Sequence, residues 1–185
     1  MKPVETSVTN DTADATSAAW VPEPPYEAPE AYLSHRPPML LISRVEAIAE
    51  DAVTSITTLG EGSPLAPFRE ADGTIGNEWL IELMAQCVGV WAGSVGRASM
   101  ATLAREHPLA DVGLLLSVRQ TAFYVTTLPA TGELVITMRR LLQDGQLASF
   151  EGEVTYAGER VAEGKITVYQ PRVDEMAALF GDHSE

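Results

Sequence analysis

Glu82 stands in the run WLIELMAQCV, with apolar neighbours on both sides. A carboxylate there is costly to bury ionised, so facing a dry pocket would raise its pKa and let it deliver a proton near neutral pH. Gln86 follows four residues later, one turn on and on the same face if the run is helical, where its amide can orient the carboxyl. Gly76, Asn77 and Glu78 come just before that run, where the first N–H groups of a helix are free to polarise a carbonyl. The structural alternative is that Glu82 simply reaches solvent near a helix start, where acids are favoured.

His35, in AYLSHRPPMLLISRV, is a candidate base by type, although before two prolines a structural hydrogen-bonding role is the plainer reading. His107 precedes Pro108 and reads as a helix-end or solvent residue, and His183 lies near the C-terminus. Cys87 has no basic partner at useful spacing and reads as a buried thiol. Ser34, Ser43 and Ser63 lack the glycine-framed turn of a hydrolase nucleophile. Three histidines and one cysteine offer no metal-ligand spacing, and neither GxxxxGK[ST] nor GxGxxG occurs, so no metal or cofactor is expected.

Positioning these groups falls to a chain of 185 residues, 45 % apolar, with a net charge of −14. That length suits one core, and the apolar fraction is that of an ordinary globular domain. So acidic a chain repels phosphate backbones and anionic membrane surfaces, which argues against nucleic-acid and membrane partners. The N-terminus has acids and threonines where a signal peptide needs an apolar stretch, and charges interrupt the apolar runs before the roughly 20 residues of a membrane span. One cysteine and no disulfide suit a reducing compartment, so a cytoplasmic location is expected. Residues 1–30 read as a flexible acidic and Pro-rich tail, 31–171 as the body, and 172–185 as a short acidic tail in which 176–180 could form one helical turn. The two tails carry net charges of −5 and −3, which leaves −6 on the body.

Within the body, MLLISRVEAI (39–48) and AVTSITTLG (52–60) read as a strand pair, and 63–77 as a long loop broken by Pro, Asp and Gly. From Glu78 to Glu106 proline is absent and helix formers dominate, which predicts one long helix. Residues 114–125, 133–142, 147–157 and 160–170 are β-branched and aromatic-rich, joined by Thr131-Gly132, Asp144-Gly145 and Gly158-Glu159. One apolar helix and a mostly antiparallel sheet bury each other if the sheet curls around the helix, an α+β arrangement. Ala85, Gly89, Ala92, Gly93 and Gly96 line one helix face. Three interior glycines cost about 3 kcal/mol relative to alanine, tolerable if another backbone passes close, as when a sheet wraps the helix. A frayed, kinked end after Gly93 is the alternative.

The string Ser34-His35-Arg36-Pro37-Pro38-Met39-Leu40-Leu41-Ile42-Ser43-Arg44-Val45, followed by Glu82-Leu83-Met84-Ala85-Gln86, resembles the β-hydroxyacyl-acyl-carrier-protein dehydratases, which are hotdog-fold enzymes. Trp91-Ala92-Gly93 and the ending from Ala162 to Pro171 are similar to the dehydratase-like branch of aryl polyene and fatty acid clusters. The resemblance covers about residues 31–171 and implies a hotdog subunit that dimerises through a sheet or sheet edge. In that family a histidine on the loop before the helix removes the C2 proton of a 3-hydroxyacyl thioester. The helix acid, from the other subunit, protonates the departing C3 hydroxyl. A backbone N–H at the helix start polarises the thioester carbonyl, and the acyl tail runs along an apolar tunnel.

The resemblance gives Glu82 the acid's role and sets Gln86 beside it in the motif, and Phe68, Gly76, Asn77 and Gln86 are the substrate-binding candidates. The loop histidine's position falls on Phe68, and no histidine lies between His35 and His107. Three readings stand: His35 substitutes as base, Glu82 works alone through water, or a partner subunit supplies the histidine. The implied partners are an acyl carrier protein bearing a 3-hydroxyacyl chain and a second hotdog subunit, identical or different. The acidic carrier would need a basic docking face, for which Arg97, Arg105, Arg119, Arg139 and Arg140 are candidates. A hotdog thioesterase and a non-catalytic hotdog subunit are the rival functions.

Overall fold

Alternating strands and glycine turns build one antiparallel sheet in the computed structural model, which describes residues 20–181. Residues 1–19 of the tail read over 1–30, and residues 182–185 with His183, lie outside the described residues. The strands are β1 (Arg44–Ile48), β2 (Ala52–Leu59), β3 (Leu114–Phe123), β4 (Gly132–Asp144), β5 (Leu147–Tyr156) and β6 (Glu159–Tyr169), in the order β1-β2-β4-β5-β6-β3. The expected Asp144-Gly145 turn closes the β4–β5 hairpin, with Gly145 at φ +55°, a left-handed conformation that glycine adopts without strain. β1 is shorter than the reading of 39–48. Met39–Leu41 stays out of the sheet because the Met39 and Leu41 backbones bond to the Gln86 side chain and Leu41 C=O accepts from Thr57 Oγ1.

Helix α1 (Trp79–Trp91) buries Leu80, Leu83, Met84, Cys87 and Trp91 against the concave sheet, where Val53, Ile136, Met138 and Phe150 complete the core. Trp91 meets Phe150 edge-on at 5.2 Å and donates its indole N–H to Glu50 O at 3.0 Å. The single long helix expected over 78–106 is interrupted. A π turn spans Ala92–Gly96, followed by α2 (Arg97–Ser99), a break at Met100 and α3 (Ala101–Glu106). Ser94 explains part of this, because its hydroxyl donates to Val90 O at 2.8 Å and Trp91 O at 3.1 Å in competition with the backbone ladder. Contrary to the reading of interrupted apolar runs, the 21-residue stretch Trp79–Ser99 is long and apolar enough to cross a membrane. Its window is 61 % buried inside the protein, as a core helix would be.

The close backbone approach that the helix glycines anticipate is real, but the approaching chain is the N-terminal segment and not the sheet. A Cβ at Gly93 would overlap the carbonyl of Tyr32, and one at Gly89 would meet Leu33 Cδ2. Gly93→Ala is therefore expected to destabilise the fold by about 1–3 kcal/mol, read from the denaturant midpoint, because backbone must move to admit the methyl. Ordered contacts begin before residue 31: Pro29 is buried, and Val21 and Tyr26 pack on the core. At the other end, Val173–Phe180 forms a full helix, α4, rather than a tail with one turn. Glu175 holds its start by accepting from Arg172 N at 2.8 Å, Gln146 Nε2 at 3.0 Å and Tyr169 OH at 3.0 Å. The Arg172 backbone N–H, and next the Gln146 amide, hold the Glu175 carboxyl below its usual range.

Cys87 is fully buried, facing Val53 O and Ile136 O, and burial pushes its thiol up to about 12. Iodoacetamide at mildly alkaline pH should leave it unmodified in the native protein and alkylate it after denaturation, as mass spectrometry would read. Since the folded thiol is raised from 9.0, stability from this group is intact below pH 9 and lost as pH climbs toward 12.

Candidate active site

Gln86, only 1 % exposed, organises the site. Its Oε1 accepts from Leu41 N at 2.9 Å, while its Nε2 donates to Met39 O at 2.7 Å and to Glu82 Oε1 at 2.8 Å. One amide thus holds the helix carboxylate and pins the segment before β1 across α1. Arg36 stiffens the turn upstream by donating to Leu33 O at 2.8 Å and His35 O at 2.7 Å. The result is that His35 Nε2 lies 3.8 Å from Glu82 Oε1 within one chain. Among the described residues His35 Nδ1 is buried without a hydrogen-bond partner, which gives no support to the structural hydrogen-bonding role that its position before two prolines suggests. The two side chains are 39 % and 34 % exposed, which places them at a mouth open to solvent rather than in the dry pocket pictured for Glu82.

From this mouth a cleft of about 190 Å³ runs along α1 and the π turn. Tyr32, Leu33, Val88 and Gly89 line it from the N-terminal segment and α1, Leu114, Leu115 and Val168 from β3 and β6, and Arg97 and Met100 from the chain beyond the π turn. Apolar walls beneath a paired acid and base suit a substrate with a polar reacting head and an apolar tail. The N-terminal wall went unread in the sequence, although the glycines that receive it, Gly89 and Gly93, were its signal.

Phe68, Gly76 and Asn77 do not line this cleft. Phe68 ends a 3-10 turn (Ala66–Phe68) and stacks on Trp79 at 4.1 Å. Gly76 bridges to Thr127, under the folded-back carboxylate of Glu78, and Asn77 Nδ2 donates to Val125 O at 2.7 Å. These contacts fasten the loop that leads into α1. Of the basic candidates, Arg97 pairs with Asp111 at 3.5 Å, Arg139 with Asp51 at 3.2 Å, and Arg140 lies over Trp91 at 5.0 Å. Among the described residues no three His, Cys, Asp or Glu side chains are grouped to hold a metal.

The family model for ApeP-like proteins, described as ApeP dehydratase, matches residues 27–180. The chain belongs to the ApeP-like dehydratase family. A chain of the dehydratase heterocomplex ApeI:P from Xenorhabdus doucetiae is 32 % identical over 85 % of this chain and 99 % of that one, with a TM-score of 0.74. A hypothetical thioesterase protein with coenzyme A from Streptococcus pneumoniae TIGR4 is 15 % identical, covers 70 % of this chain and 85 % of that one, and has a TM-score of 0.51. The conserved protein PA5202 from Pseudomonas aeruginosa is 17 % identical over 68 % and 86 %, with a TM-score of 0.50. At these identities the last two share the fold alone. Comparison with curated protein sequences finds no match. The hotdog fold and the aryl polyene branch expected from the motifs both hold, and this ApeP-like chain is a dehydratase subunit.

Proposed function

We propose that this ApeP-like subunit eliminates water from 3-hydroxyacyl thioesters carried on an acyl carrier protein, with His35 as base and Glu82 as acid. The observation that carries this reading is His35 Nε2 at 3.8 Å from Glu82 Oε1, at the mouth of an apolar cleft. His35 takes the C2 proton and the electron pair of that C–H bond forms the C2=C3 double bond. The C3–O bond breaks, and the Glu82 proton converts the departing hydroxyl to water. Gln86 donates to Oε1, so Oε2 is the oxygen free to carry that proton into the cleft. The reaction ends with His35 charged and Glu82 ionised, and one proton passed back from histidine to carboxylate restores the starting state.

Among the described residues the outer side of β3 bonds to no strand, β6 being its neighbour on the other side, and Leu114 and Leu115 of this strand form part of the cleft wall. A second hotdog subunit seated on that edge would close the cleft over the acyl tail, and the heterocomplex formed by the similar ApeI:P assembly supports such a partner. With acid and base both on this chain, the partner's work is closure rather than supply of a histidine. Incubation with a 3-hydroxyacyl carrier protein, alone and with a hotdog partner, tests this by mass spectrometry. Loss of water with the thioester intact is expected. Release of free acid would make the chain a thioesterase, and no change in either setting would leave it a non-catalytic subunit.

A further inference from the structure

Two cavities meet at Met100. The cleft of about 190 Å³ described above shares three wall residues, Met100, Gln143 and Gly145, with a second, more open cavity of about 780 Å³ beside α3 and the end of β4. Gln143 is held in place, since its Oε1 accepts from Arg140 Nη1 at 2.6 Å and its Nε2 donates to Ser99 Oγ at 3.1 Å. Gly145 brings no side chain. Met100 is 7 % exposed and falls at the break between α2 and α3, where its N–H donates to Gly96 O at 3.1 Å and its C=O accepts from Ala104 N at 2.9 Å. Of the three, it alone pairs a tied backbone with an apolar side chain free to swing through unbranched, rotatable bonds.

We infer that Met100 is the end stop of the acyl path: it closes the cleft toward the second cavity and so sets the longest tail this chain favours. The inference rests on the reading above that the cleft takes an acyl tail, and adds what limits its length. The second cavity has the chemistry to continue that path. A register shift in β4 between Arg140 and Leu142 lets the consecutive Leu141 and Leu142 both border it, although neighbours on a regular strand point to opposite faces. Leu103 of α3 borders it too, and the two β4 leucines are 49 % and 57 % exposed, so apolar area stands uncovered on the far side of Met100. Of the charged wall residues, Asp51 and Arg140 are already engaged, with Arg139 at 3.2 Å and with Gln143. A tail that passed Met100 would therefore meet leucine, and the thioether is what stands in its way.

Met100→Ala should join the two cavities without touching His35, Glu82 or Gln86. The probes are saturated acyl pantetheine thioesters of rising length, which lack the 3-hydroxyl and cannot lose water, with affinity read by calorimetry on the chain alone and with a hotdog partner. Wild-type affinity should rise about four-fold per added methylene up to one length and level off or fall beyond it. Met100→Ala should carry the rise onward, so that a tail two methylenes past the wild-type limit binds about ten-fold more tightly than it binds wild type. Met100→Val removes less of the side chain, should move the limit the same way by less, and serves where the alanine variant does not fold. Met100→Leu conserves volume and should leave the limit in place. Adding Leu142→Glu to Met100→Ala should abolish the gain, because a charge then stands in the space the longer tail needs. A wild-type affinity that never levels off overturns the stop, as does an unmoved limit in a folded truncation variant or a loss at every length alike. A gain that survives Leu142→Glu overturns the second cavity as the extension. Water loss from 3-hydroxyacyl carrier proteins is read separately: a shifted limit without turnover leaves the stop standing and removes the dehydratase reading, and turnover with an unmoved limit does the reverse.

Discussion

Glu82→Gln should lower the rate of water loss from a 3-hydroxyacyl carrier protein by about 10²–10⁴-fold, the contribution of a positioned general acid. The amide keeps the size of the carboxylic acid and can still accept from Gln86 Nε2, so the clamp on Met39 and Leu41 survives. Because Glu82 lies at the partly open mouth, the thermal midpoint should change little. On the proposed mechanism, what is lost is the acidic proton delivered to the C3 hydroxyl. The fall belongs in kcat, with KM close to wild type, since the apolar walls that hold the tail are untouched. An unchanged kcat in a folded variant removes Glu82 from the reaction.

The strands were readable because their signals are local. Asp144-Gly145 and Gly158-Glu159 mark turns, and β4 to β6 alternate between the core and the outer face. Glu82 and Gln86 were readable as a pair for the same reason, one helical turn apart. The partnership of His35 with Glu82 could be offered only as one of three readings, because it depends on a long-range tie. Gln86 reaches Leu41 across 45 residues of sequence, and that bond decides where the segment before β1 lies. Helix α4 escaped for a related reason. Its start depends on Gln146 and Tyr169, which reach Glu175 from the sheet. The interrupted helix shows the opposite limit: local propensity argued for continuity through residue 106, while Ser94 and the glycines around it made a π turn possible.

His35→Gln is expected to lower turnover by a similar factor, about 10²–10⁴-fold, both for the chain alone and for the chain with a hotdog partner. Glutamine can hydrogen-bond to Glu82 but cannot take the C2 proton, so binding should persist while chemistry stops. The partner arm decides between the two sources of the base. A histidine supplied in trans would sustain the rate of His35→Gln once the complex forms, whereas a base on this chain leaves the complex as slow as the isolated variant. Phe68→Leu is the matching control at the position where the family's loop histidine falls. It removes an aromatic contact with Trp79 worth about 0.5–1.5 kcal/mol and should leave kcat unchanged, because this ring does not face the cleft. The double variant Glu82→Gln/His35→Gln should be little slower than either single one. A base and an acid that act as one unit fail together, and two multiplying losses would mean that each contributes independently of the other.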